Sequence, residues 1–171
     1  FLGASMMADA FFVAWRFPNL FRSLFAEGTL NVAFIPIFSG ELHQKSKQSA
    51  IEFAQTVFSF LFYVLLIFTL IIEIIMPATM FVLAPGFERI PGKLELATQL
   101  SRITFPFLFF VSLVSLLSGV LNSIGRFWAA AFTPVILNLT MIFFLVCLSP
   151  FFQGPYAPAY SLSCGVAVAG L

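Results

Sequence analysis

Apolar residues in this chain form long stretches that short polar segments separate. A helix needs about 20 residues to cross roughly 30 Å of hydrocarbon, and it satisfies its own backbone groups where no water can do so. We therefore predict an all-α fold, a polytopic transmembrane helix bundle in which 1–171 form one transmembrane domain. Four complete crossings and the start of a fifth are expected at approximately 9–39, 50–76, 96–123, 134–151 and from 157 onward.

The polar interruptions predict the connecting loops. Residues 41–49 hold the longest polar run and are expected to lie at the membrane surface. Pro77 is expected to end the second helix, and 77–95 combines Pro, Gly and four charged residues, which is typical of turns. A short turn is expected between Gly125 and Pro134. All of these loops are short, so the sequence predicts no separate soluble or catalytic domain.

Composition supports the membrane class. Of the 171 residues, 61% are hydrophobic and only 9% are charged, whereas soluble domains carry roughly a quarter charged residues. The 25 Phe side chains suit lipid-facing or packing positions. A net charge of +1 without a basic cluster gives no surface for nucleic acid.

The sequence carries no motif typical of catalysis or metal binding. Cys147 and Cys164 lie in apolar stretches and are interpreted as small hydrophobic residues, not as a metal site or disulfide. No hydrolase, Walker or zinc motif occurs, so no enzyme activity and no cofactor is predicted.

Loop charges predict the orientation, because Lys and Arg near membrane ends are retained in the cytoplasm. Lys45, Lys47 and Arg126 lie on one side with little acid nearby, whereas the basic residues of the opposite side are balanced by Glu88 and Glu95. We therefore expect the Lys45 loop to be cytoplasmic and the first residues to lie outside. The chain begins at Phe1 and stops inside an apolar run, so it is expected to be a piece of a longer protein.

The first predicted helix carries an unusual set of polar residues: Asp9, Arg16, Asn19, Arg22, Glu27 and Asn31. A charge at the bilayer centre costs about 2.5–3.5 kcal/mol on insertion scales, so these side chains must face protein, water or one another. At about 100° per residue, one stripe within about 40° of Asp9 holds Arg16, Ser23, Glu27 and Asn31. The pattern predicts a hydrated cavity beside this stripe.

Two of the polar residues fit the stripe less well. Asn19 lies about 80° from Asp9, at the margin, and Arg22 lies about 140° away on an ideal helix. A bend at Pro18 would turn Arg22 toward the stripe. Structural alternatives stay open: Asp9 as a solvated helix start, Arg16 as a snorkelling side chain, and Arg22 with Glu27 as a buried ion pair.

Several segments resemble the lipid II flippases of the MurJ (MviN) family. They are the run MADAFFVAWRFPNLFRSLFAEGTLNVAFIP from Met7 to Pro36, then Ala84-Pro-Gly-Phe, Ile103-Thr-Phe-Pro and Leu121-Asn-Ser-Ile-Gly-Arg-Phe, in the order of the family. The resemblance implies a fourteen-helix transporter of the multidrug/oligosaccharidyl-lipid/polysaccharide exporter superfamily, with two lobes around a cationic cavity. This chain would supply helices two to five and part of six of the N-terminal lobe.

The resemblance also implies a function and a site. The substrate would be lipid II, an undecaprenyl-pyrophosphate-linked disaccharide-pentapeptide, flipped across the bacterial cytoplasmic membrane by alternating access and driven by a coupling ion or the membrane potential. Matching residue by residue, Asp9, Asn19, Arg22 and Glu27 would line the cavity or its gate, and Arg16 matches a commonly basic position. The family often has two adjacent basic residues where this chain has Arg22-Ser23.

Two other functions remain compatible with the sequence. A drug or cation antiporter of the same superfamily would share the architecture, and a membrane scaffold would use the charges only to hold helices together. Both would also contact membrane lipids.

Overall fold

The computed structural model describes residues 5–23, 29–152 and 154–171. These residues form helices joined by turns and contain no strand, which confirms the all-α prediction. The seven α-helices are α1 (Met6–Arg22), α2 (Thr29–Gly40), α3 (Lys47–Leu83), α4 (Lys93–Thr104), α5 (Pro106–Ser123), α6 (Trp128–Phe143) and α7 (Ala157–Gly170). Short π and 3-10 turns lie at Glu41–Lys45, Phe87–Arg89, Phe144–Leu148 and Ser149–Phe151.

Three helical stretches of the described chain are long and apolar enough to cross a membrane: Lys47–Leu83, Lys93–Ser123 and Ala131–Phe151. The second of these comprises α4 and α5, which meet at Phe105. The predicted first crossing at 9–39 corresponds to α1 and α2, and the residues that join them, 24–28, lie outside the described part.

Several helix bounds differ from the prediction. Helix α3 continues through Pro77 to Leu83 instead of ending at 76. Proline removes one backbone hydrogen bond, but the longer helix moves its four unpaired terminal carbonyls to the turn at 84–92, away from the apolar span. Helix α6 begins at Trp128 and includes Pro134, so the turn before it is shorter than predicted.

The predicted third helix is also divided. It begins at Lys93, three residues before the expected start, and changes from α4 to α5 where Pro106 occupies the first position of the new helix. Proline is favoured there because its missing N–H would have no partner within the helix in any case.

Among the described residues, the buried core lies in three clusters along the bundle. Alanines and large apolar residues of α1, α4, α5 and α7 form the first, near Asp9. Phe17, Met76 and Phe105 belong to the second, in the middle. The third joins α2, α3 and α5 near the Glu41–Lys45 turn. We call the two ends of the bundle the Asp9 end and the Lys45 end.

A buried polar contact fixes α1 against α4. Pro18 has no N–H to donate to the carbonyl of Ala14, four residues earlier in the same helix. The hydroxyl of Thr104 donates to that carbonyl over 2.9 Å, and both residues are fully buried. Residues with hydroxyl groups on neighbouring helices commonly satisfy backbone groups that proline frees in membranes. This contact therefore makes α4 the structural support of α1.

Candidate functional site

The candidate site is the exposed face of α1. Asp9, Arg16 and Ser23 recur every seven residues, about two helical turns, and all three are exposed. Ala14 and Phe17 lie on the opposite, buried face against α4 and α5. The three polar residues thus share one open face, as the helical projection predicts.

Asp9 is held by a residue from a distant part of the sequence. The ammonium Nζ of Lys93 donates to Oδ2 of Asp9 over 2.7 Å. The Lys93 side chain is only 8% exposed, whereas the Asp9 side chain is 59% exposed. Lys93 also lies over the ring of Phe87, 4.3 Å from its centroid. Asp9 is therefore one half of an ion pair and not simply a solvated helix start.

Arg16 lies about 10 Å further along α1, a distance set by seven residues at about 1.5 Å each. Its side chain is exposed, and no described residue lies within hydrogen-bond or ion-pair distance of its guanidinium. The structure does not bring Arg16 to Asp9. A cation in this position can contact an anion or water that reaches the open face.

Asn19 and Arg22 are brought together at the end of α1. Nε of Arg22 donates to the side-chain oxygen of Asn19 over 2.8 Å, and both residues are half-buried. Because Nε donates in this contact, Asn19 orients the guanidinium of Arg22. The two residues that fitted the stripe least well in the sequence thus form one polar unit on its flank.

Two predicted site residues lie wholly or partly outside the described part of the chain. Glu27 lies outside the described residues. Asn31 belongs to α2, but its side chain is likewise outside the description.

Sequence reasoning missed the role of Lys93, which it treated as one of several loop charges. The contact with Asp9 joins residues 84 positions apart, so no local pattern indicates it. The structure shows that Lys93 starts a helix, where the positive end of the helix dipole disfavours a cation, whereas the sequence predicted that helix only from 96. A lysine in this position needs a compensating partner.

Sequence reasoning also missed a row of polar side chains on the exposed face of α4. Glu95, Gln99 and Arg102 are exposed at helical spacing, and the Gln99 amide nitrogen donates to Glu95 over 3.2 Å. The hydroxyl of Tyr160 on α7 donates to the side-chain oxygen of Gln99. These α4 residues line an open cavity of about 550 Å³ with Pro77 of α3 and residues of the turn at 84–92.

Apolar membrane-length helices combined with charged and polar side chains on one exposed helix face are typical of membrane transport proteins. Comparison with known proteins defines the family. The family model described as lipid II flippase MurJ matches residues 1–171. The chain belongs to the MurJ lipid II flippase family, which confirms the resemblance seen in the sequence.

Individual proteins with similar sequences carry the same family name. A probable lipid II flippase MurJ of Rhizobium tropici is 44% identical over 171 residues, which cover 99% of this chain and 32% of that protein. The lipid II flippase MurJ of Burkholderia cenocepacia is 34% identical over 169 residues, with the same coverage of 99% and 32%. The chain thus spans about a third of the length of these relatives.

A solved structure of this family has a similar fold. The lipid II flippase MurJ in an inward closed conformation matches with a TM-score of 0.73 and 26% identity, covering 98% of this chain and 35% of that one. The match confirms the prediction of a polytopic helical membrane protein. None of these comparisons favours the drug or cation antiporter.

Proposed function

We propose that the protein to which this chain belongs flips lipid II from the inner to the outer leaflet of the bacterial cytoplasmic membrane. Family membership over the whole chain carries this proposal. The relatives that share the chain's sequence bear the name lipid II flippase. On the basis of the loop charges, the Lys45 end would face the cytoplasm and the Asp9 end would face outward.

The chemistry of the substrate explains why an exposed polar helix face is needed. Lipid II joins a hydrocarbon tail through pyrophosphate to a large polar head group, and that head group cannot enter bare hydrocarbon. Charged groups are tolerated at membrane depth where they face water or other polar groups. The face of α1 that carries Asp9 and Arg16 would form one wall of the hydrated path.

We assign the pyrophosphate contact to Arg22. Guanidinium groups bind phosphate oxygens through charge-assisted and often bidentate hydrogen bonds. The contact from Nε of Arg22 to Asn19 fixes the orientation of the guanidinium on the flank of the polar face of α1. Arg16, which is exposed on the same helix, would attract the anion along the path. Asp9 and Glu27 would pair with cations of the cavity or close its gates.

Charge reversal at Arg22 tests this assignment in the full-length protein. We expect Arg22→Glu to abolish the appearance of lipid II head groups at the outer surface, because a carboxylate repels pyrophosphate. The measurement is labelling of outward-facing head groups with a membrane-impermeant reagent, in cells whose own flippase is depleted.

The matched control is Arg89→Glu, the same charge reversal at an exposed residue of the turn at 84–92. It should leave labelling unchanged, and both variants should reach the membrane at the level of the parent protein. Normal labelling with Arg22→Glu would refute the assigned contact.

A further inference from the structure

The position of Lys93 is electrostatically unfavourable on its own helix. Lys93 is the first residue of α4, where the unpaired backbone N–H groups place a partial positive charge. Acidic residues are favoured at such positions and basic residues are disfavoured. The lysine is nevertheless buried, so water does not offset the repulsion. Something other than local helix stability accounts for a cation here.

Two contacts hold the ammonium in place. The carboxylate of Asp9 lies 2.7 Å from Nζ, and the ring of Phe87 lies beneath it at 4.3 Å from the centroid. The face of an aromatic ring attracts a cation. Phe87 belongs to the turn that precedes α4 and Asp9 belongs to α1, so the ammonium is fixed between two separate segments. No other carboxylate of the described ranges lies within ion-pair distance of Lys93.

The two partners differ in their exposure, and this difference indicates which residue serves the other. Asp9 is mostly exposed, so it could be solvated by water without Lys93. A packed apolar side chain at position 93 would stabilise the fold at least as well, because replacing a buried ion pair by apolar residues is often neutral or stabilising. A structural requirement alone therefore does not explain Lys93.

The geometry explains it through the orientation of Asp9. Lys93 holds Oδ2 from the buried side, and no donor from the described residues contacts Oδ1. The carboxylate is thus held at one oxygen while its other oxygen stays on the open face of α1. An oriented carboxylate accepts hydrogen bonds from hydroxyl, amide or ammonium groups, which are the donors that a sugar-peptide head group carries.

We propose that Lys93 is a positioning residue that presents the free oxygen of Asp9 to hydrogen-bond donors of the transported head group at the Asp9 end. This inference rests on the proposed function, because it takes the open face of α1 as part of the transport path. It adds a residue from α4 to that path and gives the chemical class of the groups that meet Asp9.

The test measures head-group labelling and the thermal unfolding midpoint of the purified full-length protein, for a set of variants. Lys93→Met keeps the side-chain stem and removes the charge. We expect transport to fall about tenfold or more, equivalent to the loss of one oriented contact in the rate-limiting barrier. The unfolding midpoint should stay near that of the parent, because Asp9 remains accessible to water.

Three further variants separate positioning from structure. Lys93→Arg should retain most transport, because it keeps a cation that can donate to Asp9. The control Arg89→Met removes a charge from the adjacent turn and should change neither measurement. Asp9→Asn with Lys93→Met should transport no better than Asp9→Asn alone, because both changes remove the same oriented carboxylate.

The outcomes also separate this inference from the function on which it rests. Full transport by Lys93→Met, or an equal loss in Lys93→Met and Lys93→Arg, overturns the positioning role. If Asp9→Asn transports normally while Arg22→Glu does not, the inference fails and the flippase proposal stands. If neither variant impairs transport, the proposed path along α1 is itself wrong.

Discussion

The two ends of the bundle carry lysine–carboxylate pairs with the same separation and opposite settings. At the Asp9 end, Lys93 and Asp9 are 2.7 Å apart, and the lysine is 8% exposed. At the Lys45 end, Lys45 and Glu41 are also 2.7 Å apart, but the lysine is 65% exposed and the two residues lie one helical turn apart in sequence. Distance alone would rank the two pairs as equals.

Their surroundings make them different interactions. The Lys45 pair lies within one short turn and is replaced easily by water, and such exposed pairs contribute little. The Lys93 pair joins α1 to the start of α4 across 84 residues. A buried ammonium that loses its carboxylate has no equivalent replacement. Burial of one partner, more than the length of the contact, therefore determines the energetic role of an ion pair.

The largest loss of stability should follow from removing the carboxylate at the Asp9 end. We expect Asp9→Asn to lower the free energy of unfolding by about 3 kcal/mol, because it leaves the buried Lys93 ammonium without an anion. The measurement is the unfolding equilibrium of the purified full-length protein in detergent.

The double variant Asp9→Asn with Lys93→Met is the matched control, since it removes the buried charge as well. Stability should largely return in that variant. A stability equal to that of the parent with Asp9→Asn alone would mean that Lys93 reaches water, and the contrast between the two ends would disappear.

A smaller loss of stability should follow when a neutral hydrogen bond between α1 and α4 is removed. Thr104→Val leaves the carbonyl of Ala14 without a donor, because Pro18 cannot supply one. We expect a loss of about 1–2 kcal/mol in the free energy of unfolding, typical of an unsatisfied buried carbonyl.

Thr98→Val is the control for that variant. Thr98 is buried on the same helix, but its hydroxyl donates to the carbonyl of Leu94 within α4. That carbonyl keeps its place in the helical hydrogen-bond pattern, so this change should cost less. Equal losses in the two valine variants would show that the support of α1 by α4 does not depend on the hydroxyl of Thr104.

The smallest effect on stability is expected when the ion pair at the Lys45 end is removed. Hydrogen bonds from Lys45 and Ser49 hold the pKa of Glu41 below its ordinary value of 4.5. Because the folded-state pKa is lowered, the stabilisation is fully present above 4.5 and is lost as the pH falls through the lowered value.

Lys45→Met should leave the thermal unfolding midpoint at neutral pH without a resolvable change. It should weaken the acid dependence that arises from Glu41, measured as the change in midpoint on acidification below 4.5. A clear loss of stability at neutral pH would place this pair in the same category as the Asp9 end.

The class, the family and much of the candidate face follow from the amino-acid sequence. Long apolar stretches have no stable alternative to helices in a bilayer, so the all-α fold follows from hydropathy. Asp9 and Arg16 share a face because helical geometry repeats every 3.6 residues, and this local rule needs no tertiary information. The motif from Met7 to Pro36 is specific enough to indicate the family, and the family model that matches the whole chain agrees with it.

The prolines show where local sequence rules were not sufficient to predict the structure. Pro77 was expected to end a helix, yet α3 continues to Leu83. Proline removes one hydrogen bond, but whether the helix ends depends on where its terminal carbonyls would then lie, and this is a property of the surroundings. Pro18 shows the same dependence, because Thr104 from another helix supplies the missing donor.

The partners of the charged residues depend on how the helices pack. Nothing near Asp9 in the sequence indicates Lys93, and nothing near Lys93 shows that it is buried while Asp9 is exposed. Electrostatic energies depend on separation and on solvent access, and both are set by how α1 packs on α4. The sequence therefore determined which side chains carry charge, whereas the packing of the helices determined what those charges do.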